Sequence, residues 1–198
     1  MKRLILWGTL GVFLLLIFGV VYVAVRATST ESNDDIGIAP AKVAEYLHSV
    51  IEANRTIYAT HVVEKMQAKG VVQAAEHWKQ ETALLLPAQF LIEAGRLAAQ
   101  KGTGIKYRLV SLWPIYVWNS PSNDFEKNGL EAVTKDPDQP YTGFVKNGRN
   151  RSFQAIYADI AISQACIDCH NTHANSPRRD FKLNDVMGGI VITIPIDK

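Results

Sequence analysis

The chain has 198 residues, 47% hydrophobic and 20% charged, a composition that suits one globular domain with an extra segment attached. Its 21 basic and 19 acidic residues are interspersed and give a net charge of +2, so no basic stripe marks a nucleic-acid binder and no nucleic-acid partner is expected. No internal repeat or low-complexity tract breaks it up.

The amino terminus departs from ordinary composition. From Leu4 to Val25 the stretch LILWGTLGVFLLLIFGVVYVAV runs 22 residues without a charge. At ~1.5 Å rise per residue, a helix of that length spans a ~30 Å hydrocarbon layer. A cleaved signal peptide would carry a shorter apolar run and a small-residue cleavage site, which Arg26 spoils. Residues 1–26 therefore read as a single-span membrane anchor. Lys2 and Arg3 ahead of the span favour a cytoplasmic amino terminus, which places the rest in the periplasm of a bacterial inner membrane. Residues 27–39, polar and then interrupted by Gly37, read as a linker, and residues 40–198 as the folded domain.

After Pro40 the pattern turns helical. Val43, Leu47, Val50, Ile51, Ile57, Tyr58, Val62 and Met66 recur at three- and four-residue steps, predicting one long amphipathic helix that stops near Gly70. A short helix over Val71–Trp78 and a third over Leu85–Ala99, with Pro87 near its start and Gly102 beyond its end, follow. The second half changes character. IKYRLVSLW, YTGFVK, SFQAIYADIAI and GGIVITIPI are rich in β-branched and aromatic residues and read as strands of an antiparallel sheet. Asn147-Gly148 is a hairpin turn between the second and third, and Gly188 and Gly189 let the chain turn sharply into the fourth. Helices first and strands afterwards predict an α+β domain.

Chemistry concentrates in ACIDCHNTH, residues 165–173, which holds both cysteines and two of the five histidines. Cys166, Cys169 and His170 fit the C-x-x-C-H pattern of c-type haem attachment. Each thiol can add to one porphyrin vinyl group, and the next residue brings an imidazole under the iron. A disulfide between the two cysteines would close too small a loop to stabilise much. Zinc would want two more ligands at comparable spacing. A thioredoxin-like redox pair wants the motif at a helix start in a βαβ setting, whereas here it follows a strand. One covalent haem c is the expectation, with His170 as proximal iron ligand and its second nitrogen held by a carbonyl or carboxylate. His61 or Met66, near the end of the long helix, are candidates for the sixth position, with His48, His77, His173 and Met187 as further possibilities. His173 is placed to bond a propionate or cap a turn. Arg178 and Arg179 can pair with propionates; the alternative is a solvated loop in which Asp180 neutralises one of them.

The block ACIDCHNTHANSPRRDFKLNDVMGGIVI, preceded by LLLPAQFL and YRLVSLWP, resembles the haem-c-binding PAS-like sensor domains of bacterial histidine kinases, chemoreceptors and adenylate cyclases, here as a free-standing membrane-anchored protein. The resemblance covers roughly residues 40 to 196. It implies a PAS-like antiparallel sheet flanked by long amino-terminal helices, with haem on Cys166, Cys169 and His170. Some members use a cysteine from the helical half as second axial ligand, and this chain has no third cysteine. The expected function is a membrane-anchored periplasmic monohaem module that senses redox state or a ligand, signalling to a partner. The alternative is an electron-transfer cytochrome that serves a redox partner protein. The long first helix allows a homodimer. No enzyme is expected, because no nucleophile sits in a recognisable elbow.

Overall fold

In the computed structural model, residues 37–196 are described. Ala39–Lys198 form a compact unit. The long predicted helix is present in three joined pieces: α1 (Pro40–Ile57), a π-helical stretch (Tyr58–Glu64) and α2 (Lys65–Ala68). Pro40 supplies a favourable first position, since its missing N–H would have no partner there. The helix ends at Gly70, whose φ of 64° only glycine adopts freely. No helix forms over Val71–Trp78. That segment instead makes a single bridge, Ala74 to Leu84, which orders a loop. Helix α3 (Pro87–Ala99) follows, again with Pro at its first position and with the Gln89 side chain accepting from the Leu86 N–H at 3.1 Å.

Four strands, β1 (Lys106–Val110), β2 (Tyr141–Asn147), β3 (Asn150–Ile160) and β4 (Val186–Pro195), form one antiparallel sheet in the order β1-β4-β3-β2. Asn147 pairs with Asn150, so the hairpin's central residues are Gly148 and Arg149, one position later than Asn147-Gly148 suggests. Gly148 takes φ 60° and Arg149 keeps a negative φ, as a turn with glycine at the first central position requires. Gly188 and Gly189 do not turn the chain: they lie inside β4. A Cβ on Gly188 would collide with the Val110 carbonyl of β1, so glycine is there to let two strands approach. The turn into β4 is made at Asn184, with φ 71°.

Alternation along the strands sorts the core into two faces. Phe153, Ala155, Ile190 and Ile192 face α1 and α3, which contribute Ala44 and Leu91. Val110, Ile156 and Val191 face a helix the strand-rich reading of this half does not foresee, α4 (Asp124–Lys135), which contributes Leu130 and Val133. Asn123 caps it by accepting from the Glu126 N–H at 3.0 Å. A third cluster, Ala161, Ile167, Phe181 and Met187, holds helix α5 (Gln164–Thr172) against the end of the sheet.

The fold class is corrected in one respect. The α+β domain with an antiparallel sheet and flanking helices is present, but the preceding transmembrane helix does not carry over. Among the described residues no helix is long and apolar enough to cross a membrane. The Leu4–Val25 segment lies outside the described residues. The membrane as partner, the single-pass topology and the inner-membrane and periplasmic localisation lose their structural footing with it.

Candidate functional site

The CIDCH stretch follows β3, as the sequence suggests, and is itself helical. Cys166, Cys169 and His170 sit at positions i, i+3 and i+4 of α5 and so share one face. That face forms one wall of a cleft enclosing about 120 Å³, whose other walls come from the start of α3, the ends of β1 and β4 and the 114–119 loop. The sequence builds α5 to point that way. Ile167, about 100° round the helix from Cys166, is buried in the third cluster. Asn171 clamps the helix to the segment before β4: its Oδ1 accepts from the Phe181 N–H at 3.0 Å and its Nδ2 donates to the Phe181 carbonyl at 2.9 Å.

Both thiols are free. The Cys166 Sγ lies 3.3 Å from the buried Ser163 hydroxyl. Burial, and then the Glu76 carboxylate and Cys166, push the Cys169 thiol above its usual range. Burial first, then His173, pull His170 down to about 4, so its ring is neutral near pH 7. Its Nδ1 is buried without a hydrogen-bond partner, where the sequence led us to expect a carbonyl or carboxylate. The ring's edge contact is with Phe181, at 5.6 Å between centroids.

Beneath the thiols lies a pair the motif does not announce. Arg55 and Asp159 are 3% and 6% exposed, and Arg55 Nη2 stands 2.6 Å from Asp159 Oδ1, off the hydrogen-bond line. Both nitrogens of the guanidinium fork donate to the Ile160 carbonyl at 3.4 Å. Burial works against the Arg55 charge, but the Asp159 and Glu52 carboxylates together outweigh it. Burial pushes Asp159 up against the pull of Arg55. A signal for the pair exists in the sequence. Asp159 continues the inward alternation Phe153, Ala155, Tyr157, and Arg55 continues the inward helical series Ala44, Leu47, Ile51. Two opposite charges, each on a core-facing row, call for one another.

The remaining sequence candidates lie elsewhere. His173 caps the end of α5, its Nδ1 accepting from the Asn175 N–H at 3.1 Å, while its Nε2 is 3.1 Å from the Glu76 carboxylate across the cleft mouth. Arg178 pairs with Asp180 at 2.8 Å and lies over the rings of Trp113 and Phe181. Arg179 donates to the Ala174 carbonyl at 2.9 Å. Neither arginine lines the cleft. His61 is exposed on the π stretch, Met66 is half-buried on α2, His77 is exposed, and His48 is stacked on Tyr157 in a separate groove. Met187 lines the cleft from β4.

The expectation of one covalent haem c is corrected on this geometry. Among the described residues no group of three or more His, Cys, Asp and Glu side chains is placed to hold a metal ion. The proposed sixth ligands His61 and Met66 are not in the cleft that His170 faces. The iron-based description, whether as haem sensor or as electron-transfer cytochrome, falls with that expectation.

What the fold and the cleft define is a PAS-like α+β domain: an antiparallel sheet under helices, with a pocket at one end. A family model described as Tll0287-like matches residues 37–195, and the chain belongs to that family. This corrects the membrane-anchored haem-c sensor assignment drawn from the sequence. Among solved structures, the chain is similar to one titled the crystal structure of the cyanobacterial heme-protein Tll0287, at 12% identity and a TM-score of 0.49, over 81% of this chain and 99% of that one. No curated protein matches.

Proposed function

We propose that the chain is a sensor module whose input is a ligand held in the cleft against Cys166, Cys169 and His170. The observation that carries this reading is the shared face of α5. Two soft sulfur donors and a neutral imidazole line one wall of one cleft, and an apolar cluster fixes the helix that presents them. An isolated structural helix has no need to turn its three most reactive side chains toward a cavity. The orphaned Nδ1 of His170 adds to this, because a buried polar atom without a partner is costly in a site with no other use for it. Arg178 supports the site from outside, fastening the segment after α5 through Trp113, Phe181 and Asp180.

The test is thiol accessibility and intact mass on protein purified from its own host. Alkylation of the folded protein is expected to miss at least one of Cys166 and Cys169. Denaturing extraction then either restores both thiols or leaves the polypeptide with added mass. Two thiols that alkylate fully before extraction, on a chain of unmodified mass, overturn the reading.

A further inference from the structure

Two side chains tie the amino-terminal helix to the junction that launches α5. Arg55, in the last turn of α1, holds the Ile160 carbonyl and Asp159 at the end of β3. Glu64, the last residue of the π stretch, accepts the backbone N–H of Gln164 on its Oε1 at 3.0 Å. Gln164 is the first residue of α5, whose N-cap Ser163 makes no side-chain cap of its own. Glu64 therefore does from another helix what a capping residue does from within, and its charge sits at the favourable end of the helix dipole.

The π stretch is what allows both ties at once. Arg55 and Glu64 are nine residues apart. In an uninterrupted α-helix, at about 100° per residue, they would point to opposite sides, about 180° apart. A widened turn that absorbs one residue reduces this to about 80°, so both reach the same junction.

We propose that Glu64 is the positioning residue of α5 and that the π turn is a register device joining the cleft helix to the amino-terminal helix. Displacement of α5 releases the Glu64 contact, and the wide turn then loses the tie that favours it over an ordinary α-turn. The inference rests on the sensor reading only for what α5 is there to carry; the mechanical link stands or falls separately.

The test breaks the tie from the α5 side and reads the π side. Gln164→Pro removes the N–H that Glu64 accepts. Proline suits the first helical position, and Ser163, at φ −146° and ψ 155°, already has the extended conformation a following proline demands. Gln164→Ala is the control, keeping the N–H while losing the side-chain bond to Asp168. Amide hydrogen exchange over Tyr58–Lys69 is expected to quicken by about fivefold in Gln164→Pro, the scale of one partly solvated charged hydrogen bond, and to stay unchanged in Gln164→Ala. Sheet amides should be unaffected in both. Unchanged exchange in the π stretch of Gln164→Pro overturns the proposal, as does equal acceleration in the two variants. A chain lacking His61 removes the absorbed residue yet leaves the anchors about 80° apart. There Gln164→Pro should no longer act, and an undiminished effect would overturn the register part. None of these readouts depends on whether the cleft is filled, so they separate this link from the ligand reading.

Discussion

His48 makes a prediction in acid that the structure quantifies. Its ring is stacked on Tyr157 with 3.9 Å between centroids, and its Nε2 is buried with no hydrogen-bond partner. Burial pulls it from 6.5 down to about 4. Between those two values the unfolded chain binds a proton that the folded chain refuses, so stability falls as pH drops from about 6.5 and levels off below about 4. At about 1.4 kcal/mol per pH unit, the gap between 6.5 and about 4 sets a ceiling near 3.4 kcal/mol. Discounting for the part of the ring that stays wetted leaves about 1–2 kcal/mol. His48→Phe keeps an aromatic ring against Tyr157 and removes the titration. His170 carries a similar dependence, and burial raises Glu52 and Asp159, which gives stability present at low pH and lost as pH rises. All three remain in the variant, so the difference between the two proteins isolates His48. Urea unfolding followed by tryptophan fluorescence, at steps from pH 7.5 to 4.5, is the assay. The wild type should lose about 1–2 kcal/mol more than His48→Phe over that range. Parallel curves would refute the argument, because they would mean that the buried ring accepts its proton at no cost.

Two further outcomes follow from buried charge. Glu126 is 3% exposed, and its Oε2 accepts from Arg108 Nη2 at 2.5 Å, the Ser122 N–H at 2.6 Å and the Ser122 hydroxyl at 2.8 Å. Glu126→Ala should cost about 3–5 kcal/mol in chemical denaturation, and Glu126→Gln should recover part of it; a loss under 1 kcal/mol would show that the three donors re-solvate freely. For the buried ion pair, Arg55→Met and Asp159→Leu should each cost about 3–5 kcal/mol, while the double variant comes within about 1–2 kcal/mol of wild type. Additive losses in that cycle would mean that the two charges do not depend on each other.

How far the sequence speaks for itself varies with the kind of signal. The long first helix, α3 and all four strands announce themselves because each buries one face, and a buried face imposes a period on its residues. Helix α4 is missed because its turn residues Ser122, Asn123 and Asp124 look like a loop, when they are the cap and first turn of a helix. The absence of a helix at Val71–Trp78 has the opposite cause: its apolar residues serve a loop bridged to Leu84, and a run this short carries no reliable period. In the candidate site, the grouping of Cys166, Cys169 and His170 is legible from spacing alone. Their helical setting is not, because ACIDCHNT offers only Ile167 as a buried anchor. The anchors that matter, the two Asn171 bonds to Phe181 and the one Glu64 bond to Gln164, are side-chain contacts with backbone that leave no period in the sequence.

The same comparison explains why the charged residues around α5 are easier to misread than its thiols. Arg178 and Arg179 look like a pair waiting for an anion because they are adjacent in sequence and follow the motif. In three dimensions Arg178 lies over the rings of Trp113 and Phe181, with Asp180 as counter-charge, and Arg179 is bonded to a backbone carbonyl. Arg55, about 110 residues upstream, stands closer to the chemistry because it lies on the core-facing row of α1 and must meet Asp159 at the end of β3. A buried charge is constrained by everything packed around it, whereas a surface charge takes whichever partner its loop provides. Position on a periodic row is thus a better guide to the machinery of this domain than proximity in sequence. By the same reasoning the amino-terminal helix, through Arg55 and Glu64, reaches the cleft helix from far in sequence, alongside the Asn171 clamp of the loop after the motif.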